Sequence, residues 1–266
     1  MKQGKAPGPT GLTSEMLKAG EERGIKELTR VFQGLQASEE IPEEWTGSFT
    51  IPIYKGKGDV LHCGKYRGIR LLEHGFKIWE KILECRLREI INIDECQFGF
   101  QKSRSTTDAI FIMRQVQEKF LAKNKKLFHV FVDLEKAFDR VPRDVIRWAL
   151  RKQRVPERLI NLVMALYKDA KSRVKTVAGT SEEFEIGVGV HQGSALSPLL
   201  FITVMEEATK AGRAEGLWEM LYADDLVLTA KTKEEVIAMF NEWKRQMETR
   251  GLKINMEKTK VMVSGR

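Results

Sequence analysis

Apolar residues recur along this chain with two different periods, and the changes from one to the other outline its elements. From Phe76 to Ile91, the positions Phe76, Trp79, Ile82, Leu83, Leu87 and Ile90 follow helical spacing with Lys77, Lys81, Arg86 and Arg88 between them, so one helix face is buried. A second amphipathic helix is predicted over Thr106 to Ala122, with Thr106, Thr107 and Asp108 offering N-cap oxygens. Further helices are expected near Thr13, over Arg143 to Gln153, over Pro156 to Ala170, and from Leu199, just after Pro198, to Ala211. Pro156 suits a first turn, where its missing N–H needs no partner. Thr232 and Glu235 form a capping box ahead of a stripe of Val236, Phe240, Trp243 and Met247, and Gly251 supplies the stop.

Strand signals fall between these helices. Ser48 to Tyr54 runs into the turn-rich, basic segment Lys55-Gly-Lys-Gly-Asp59. Leu127 to Asp133 is an apolar run ending in an acid, which predicts a buried central strand that presents Asp133 at its end. Arg173–Val177 and Phe184–Val188 read as a hairpin, and a last strand is expected over Lys260 to Val263. Trp218 to Ala230 reads as a tight hairpin whose turn holds Asp224 and Asp225. The order of elements predicts an α+β fold, an antiparallel sheet backed by helices.

Composition narrows the class. With 42% hydrophobic and 31% charged residues the chain is expected to fold, and a net charge of +8 with a pI near 9.3 gives a surface that attracts polyanions. Cys63, Cys85 and Cys96 form no Cys-x-x-Cys pair, so neither a disulfide framework nor a zinc site is indicated, and an intracellular setting, nucleus or cytoplasm, is expected. The longest apolar stretch, Leu199 to Met205, is far below the ~18 residues of a membrane span, and no apolar signal core follows Met1.

Asp133 and the Asp224–Asp225 pair carry the candidate chemistry. A lone Asp is ordinarily a cap or a turn residue. Carboxylates beside apolar strands are costly unless a cation is expected there, and phosphoryl transfer uses two hard divalent ions held by carboxylate oxygen.

Tyr222-Ala-Asp-Asp225 resembles the Tyr-x-Asp-Asp box of reverse transcriptases, and Phe131-Val-Asp-Leu-Glu-Lys-Ala-Phe-Asp139 resembles their first palm motif. Lys5 to Gly11, Ile51 to Asp59, Tyr66 to Ile69, Ser103 to Ala109, His191-Gln-Gly193 with Leu196-Ser-Pro198, and Gly251 to Asn255 with Lys258-Thr259 are similar, in order, to non-LTR retrotransposon polymerases. The resemblance implies right-hand fingers (1–125) and palm (126–266), two Mg²⁺ or Mn²⁺ ions on Asp133, Asp224 and Asp225, and an RNA template, a DNA primer and dNTPs as partners. It implies that Phe138 is the steric gate against a ribose 2′-OH, and that Gln192 and Gly193 touch the incoming nucleotide. Lys55 and Arg67 would grip the triphosphate, Lys258 would protonate pyrophosphate, and Arg104 would hold the nucleic-acid backbone. On their residue types alone, Phe138 reads as core and the basic residues as solvated.

Thr10, Gly68, Arg70, Gln101 and Lys102 depart from the family's usual residues, but no metal ligand is lost. A fragment without thumb or endonuclease is expected, and a binding remnant that does not extend a primer is the alternative to an active polymerase. An RNA-dependent RNA polymerase would need a small or polar residue at Phe138.

Overall fold

The structure, a computed structural model, describes residues 2–210 and 218–265. In chain order the elements are α1 (Ser14–Ala19), α2 (Glu21–Ser38), α3 (Glu43–Thr46), β1 (Phe49–Tyr54), β2 (Tyr66–Leu71), α4 (His74–Arg88), α5 (Thr106–Ala122), β3 (Leu127–Val132) and α6 (Ala137–Arg140). Then come α7 (Arg143–Lys152), α8 (Glu157–Ala165), β4 (Lys171–Thr176), β5 (Gly179–Thr180), β6 (Phe184–Glu185), α9 (Ser197–Thr209), β7 (Glu219–Tyr222), β8 (Asp225–Ala230), α10 (Lys233–Glu248) and β9 (Lys260–Ser264). Among the described residues no helix is long and apolar enough to cross a membrane. The expected end of α9 at Ala211 lies outside the described residues.

Two compact units share the chain, and neither follows a single cut near residue 125. The first combines the chain up to Ile90 with Arg154–Ser197, and the second combines Ile91–Gln153 with Pro198 onward.

In the first unit β1 is flanked by β2 and β4, in the order β2-β1-β4-β5, with β6 also paired to β4. β2 was not foreseen from the apolar pattern, because Tyr66-Arg-Gly-Ile-Arg-Leu71 alternates weakly and carries a glycine. β1 meets β4 in parallel, Phe49 opposite Arg173, which the long intervening chain permits. The expected pairing of Arg173–Val177 with Phe184–Val188 does not form as such: Lys175 and Thr176 close a tight hairpin with β5, and β6, two residues long, pairs with Ser172 and Lys171, because the chain turns back at once after Thr176. The core is built on α4, where Phe76, Trp79, Leu83 and Leu87 are each at most 1% exposed. Phe32 stacks on Trp79 at 5.5 Å, and Trp45 meets Phe76 edge-on at 6.4 Å. Ile90 shares the helical spacing but lies beyond the end of α4 and is exposed. α8 stops at Ala165, short of the expected Ala170, and Pro156 caps it instead of opening it.

In the second unit the sheet order is β7-β8-β3-β9, antiparallel throughout, with β3 central. α10 packs across β8 and β3 with Val236, Trp243 and Met247 buried and Phe240 half-buried. Its capping box forms as expected between Thr232 and Glu235. At α5 the cap is Ser105, not Thr106, Thr107 or Asp108: Ser105 is extended (φ −134°) while Thr106 is already helical, and Asp108 returns the bond as the third helical residue.

Candidate active site

The hairpin from β7 to β8 closes with Tyr222 opposite Asp225, which leaves Ala223 and Asp224 as a two-residue loop. The two acids are therefore not equivalent. Asp224 sits in the turn, and Asp225, expected there too, is the first ladder residue of β8. Ala223 has φ +60°, a left-handed backbone that two-residue hairpins ordinarily give to glycine and that costs another residue about 1 kcal/mol or more.

What supports this turn is the segment Cys96–Gly99. Leu221 N–H donates to the Cys96 carbonyl and Phe98 N–H to the Leu221 carbonyl, so Gln97 forms a short parallel bridge beside β7. Gln97 is buried, and its side-chain Oε1 accepts from the N–H of Gly99 at 2.8 Å and of Ala223 at 3.0 Å. Gly99 lies so close that an added Cβ would fall 2.9 Å from the Cα of Ala223 and 2.9 Å from the carbonyl carbon of Tyr222.

Asp133 arrives from the other side of the same ladder. Val132, the last residue of β3, pairs with Leu226, so Asp133 follows at the end of the sheet where Asp225 begins β8. Its backbone is held by the Asn255 N–H, which donates to its carbonyl at 2.8 Å, and by the neighbouring bridge between Leu134 and Ile254. Lys258 Nζ donates to its Oδ2 at 3.2 Å. Desolvation first, then the charges of Asp224 and Asp133, raise the Asp225 carboxyl above the ordinary aspartate value, and Lys258 opposes the rise. Among the described residues no three acid, His or Cys side chains close into a finished cage. In kind, carboxylate oxygen is the ligand a hard divalent ion takes, and the Lys258 ammonium stands beside Asp133.

Residues 53–265 match the family model described as "Reverse transcriptase (RNA-dependent DNA polymerase)". The chain belongs to the reverse transcriptase family. It is 27% identical over 94% of its length to a retrovirus-related Pol polyprotein from the type-1 retrotransposable element R2 of Nasonia vitripennis, covering 25% of that protein. It is 26% identical over 91% of its length to a probable RNA-directed DNA polymerase from the transposon X-element of Drosophila melanogaster, covering 28% of that protein. The chain thus spans about a quarter of the length of these curated relatives. In fold it resembles apo telomerase from Candida tropicalis truncated from its C-terminal domain, with a TM-score of 0.62 and 15% identity over 90% of this chain and 55% of that one.

Within this reverse transcriptase chain, the second unit also holds Phe138, Arg104 and Lys258. Phe138, on the short α6, is half-buried, stacks on Phe201 at 4.7 Å and meets Phe100 edge-on at 6.1 Å. Arg104 is half-buried: it donates to the Glu95 carbonyl and its guanidinium lies 5.2 Å from the Phe98 ring centre. The first unit holds Lys55, Arg67, Gln192 and Gly193. Lys55 and Arg67 are exposed, and Lys55 Nζ donates to the Gly64 carbonyl at 3.1 Å. The Gln192 carbonyl accepts from Arg70 N–H at 2.7 Å, and Gly193 has φ +107° with room for no Cβ, which would meet the Arg70 carbonyl at 2.8 Å. This loop is pinned by Glu80 of α4, a fully buried carboxylate that accepts from the Ser194 hydroxyl and from Ala195 N–H. Burial pushes the Glu80 carboxyl up to about 7, although the Ser194 and Ala195 bonds and Lys77 pull the other way.

Gln97, Gly99, Glu80 and Ser194 were not singled out from the sequence. Only Gly99 carried a signal, as a glycine inside the apolar run Phe98-Gly-Phe100, where close backbone approach is a standing reason for glycine. Cys63 and Cys85 are exposed and Cys96 is buried, and no disulfide joins them.

Proposed function

We propose that this chain catalyses RNA-templated DNA synthesis, joining a dNTP to a primer 3′-hydroxyl, with the second unit as palm and the first as fingers. The observation that carries the reading is the placement of Asp133, just after β3, and of Asp224 and Asp225, at the turn into β8, at one end of one sheet. Asp133, Asp224 and Asp225 would hold two Mg²⁺ or Mn²⁺ ions, which supply activation of the attacking oxygen and neutralisation of the leaving one.

The chain's own residues do the rest. The sheet holds Asp133 and Asp225 on rigid backbone, so their carboxylates need little reorganisation when charge develops. Lys258, held at Asp133 by its 3.2 Å bond, offsets part of the acids' charge and carries the proton intended for pyrophosphate. Phe138, fixed by Phe201 and Phe100, is the gate that excludes a ribose 2′-OH. Lys55 and Arg67 bind the triphosphate, Gln192 and Gly193 lie against the incoming nucleotide, and Arg104 steadies the nucleic-acid backbone through the segment it braces. The RNA template and DNA primer are bound through the basic surface that the +8 charge provides.

Primer extension on poly(rA)·oligo(dT) with dTTP and Mg²⁺ or Mn²⁺ tests this. Metal-dependent extension lost in Asp224→Ala and Asp225→Ala is expected. Salt-sensitive binding of the duplex without extension would overturn catalysis in favour of a nucleic-acid-binding remnant.

A further inference from the structure

We infer that Gln97 is a positioning residue for the aspartate turn: through its side-chain carbonyl it holds Ala223 in a left-handed backbone and so sets where Asp224 and Asp225 stand. The inference rests on the proposed reading of that turn as the metal-binding site.

A hairpin with alanine at its first loop position has a preferred way to relax, which is to flip the Tyr222–Ala223 region out of the positive-φ well. Such a flip would turn the Ala223 N–H away and carry Asp224 with it. In this molecule that N–H is anchored on Gln97 Oε1 at 3.0 Å, in a site where Gln97 is 2% exposed and water does not offer a substitute acceptor. The anchor itself is held through both its side chain and its flanking backbone. Its own Oε1 is shared with Gly99 N–H at 2.8 Å, and its backbone is stitched to β7 by the bonds from Phe98 to Leu221 and from Leu221 to Cys96. Gly99, with no side chain, brings this strand against the turn, where a Cβ would stand 2.9 Å from the Ala223 Cα. Amide oxygen suits the task better than carboxylate would: it accepts two N–H bonds without adding a fourth negative charge beside Asp133, Asp224 and Asp225.

The test compares the parent chain with Gln97→Leu, which keeps the bulk and removes the acceptor, and Gln97→Glu, which keeps an acceptor oxygen. Hydrogen exchange over the 219–226 segment and Mn²⁺ affinity by calorimetry are read alongside kcat and KM for dTTP. In Gln97→Leu the turn amides should exchange at least about tenfold faster and Mn²⁺ affinity should fall by about tenfold or more, as for other residues that orient metal ligands. kcat should fall with it while KM for dTTP stays near the parent value. Gln97→Glu should keep the amide protection. A folded Gln97→Leu protein with unchanged turn exchange and Mn²⁺ affinity would overturn the inference. If Gln97→Leu does not fold, Gln97→Asn, one methylene short of reaching Ala223, carries the same comparison. A parent chain that extends no primer, yet whose Mn²⁺ binding and turn exchange respond to Gln97→Leu, would sink the polymerase reading and leave the positioning role standing.

Discussion

In each compact unit a loop that carries family residues is pinned by one buried side chain far away in sequence. In the second unit Gln97 holds the aspartate turn across 126 positions, and in the first Glu80 holds the Gln192–Gly193 loop across 114. Both anchors accept two hydrogen bonds. They differ in that an amide has no proton to gain, whereas Glu80 is a carboxyl whose burial moves its titration up to about 7. One loop is therefore fastened independently of pH and the other is not, although both are built in the same way from a buried acceptor and adjacent backbone N–H groups.

The largest expected effect breaks the comparison at its functional end. Asp224→Ala should lower primer extension on the order of a hundredfold to a thousandfold or more, with the circular dichroism spectrum and melting curve unchanged, because a turn residue contributes little to the ladder. Gly99→Ala comes next. The added Cβ meets the backbone of the Tyr222–Ala223 peptide, which cannot give way like a side-chain tip, so a loss of about 3 kcal/mol in chemical denaturation is expected. A loss below about 1 kcal/mol would show that the turn is looser than its geometry.

Glu80 sharpens the contrast through pH. A carboxyl whose folded-state pKa stands above its unfolded value stabilises the fold fully below that unfolded value, here 4.5, and the contribution is lost as pH rises through about 7. Stability of the parent should therefore fall between these values by up to about 3 kcal/mol, and Glu80→Gln should flatten that slope. A parent curve already flat there would show that Glu80 is ionised throughout. The smallest effect is at the caps: Ser105→Ala should cost about 1 kcal/mol, whereas Thr106→Ala should cost much less if Ser105 alone caps α5.

These expectations also show which features could be read from the residues. α10, β3 and the hairpin around Asp224 were legible because each has a strong period and a distinctive terminus, such as the Thr232–Glu235 box or the acid ending Leu127–Asp133. β2 was not, since its strand character comes from pairing with β1 along the whole of Phe49–Tyr54. The candidate acids were legible as residue types in a motif. Gln97 and Glu80 were not, because a buried polar side chain looks like a solvated one until its partners, more than a hundred positions away, are known. The division of the chain was hidden for the same reason: the units interleave, and no local signal marks where the chain leaves one for the other.

The central place of β3 has a consequence for how the molecule is made. Both of its ladder neighbours, β8 and β9, follow it by more than ninety residues, so a ribosome at ~5 to 20 residues per second delivers the first of them roughly 5 to 20 seconds after β3 itself. Throughout that interval the apolar run Leu127–Val132 lacks both of its ladder partners, so it is the segment at which an incomplete chain of this protein is most exposed to strand-to-strand association.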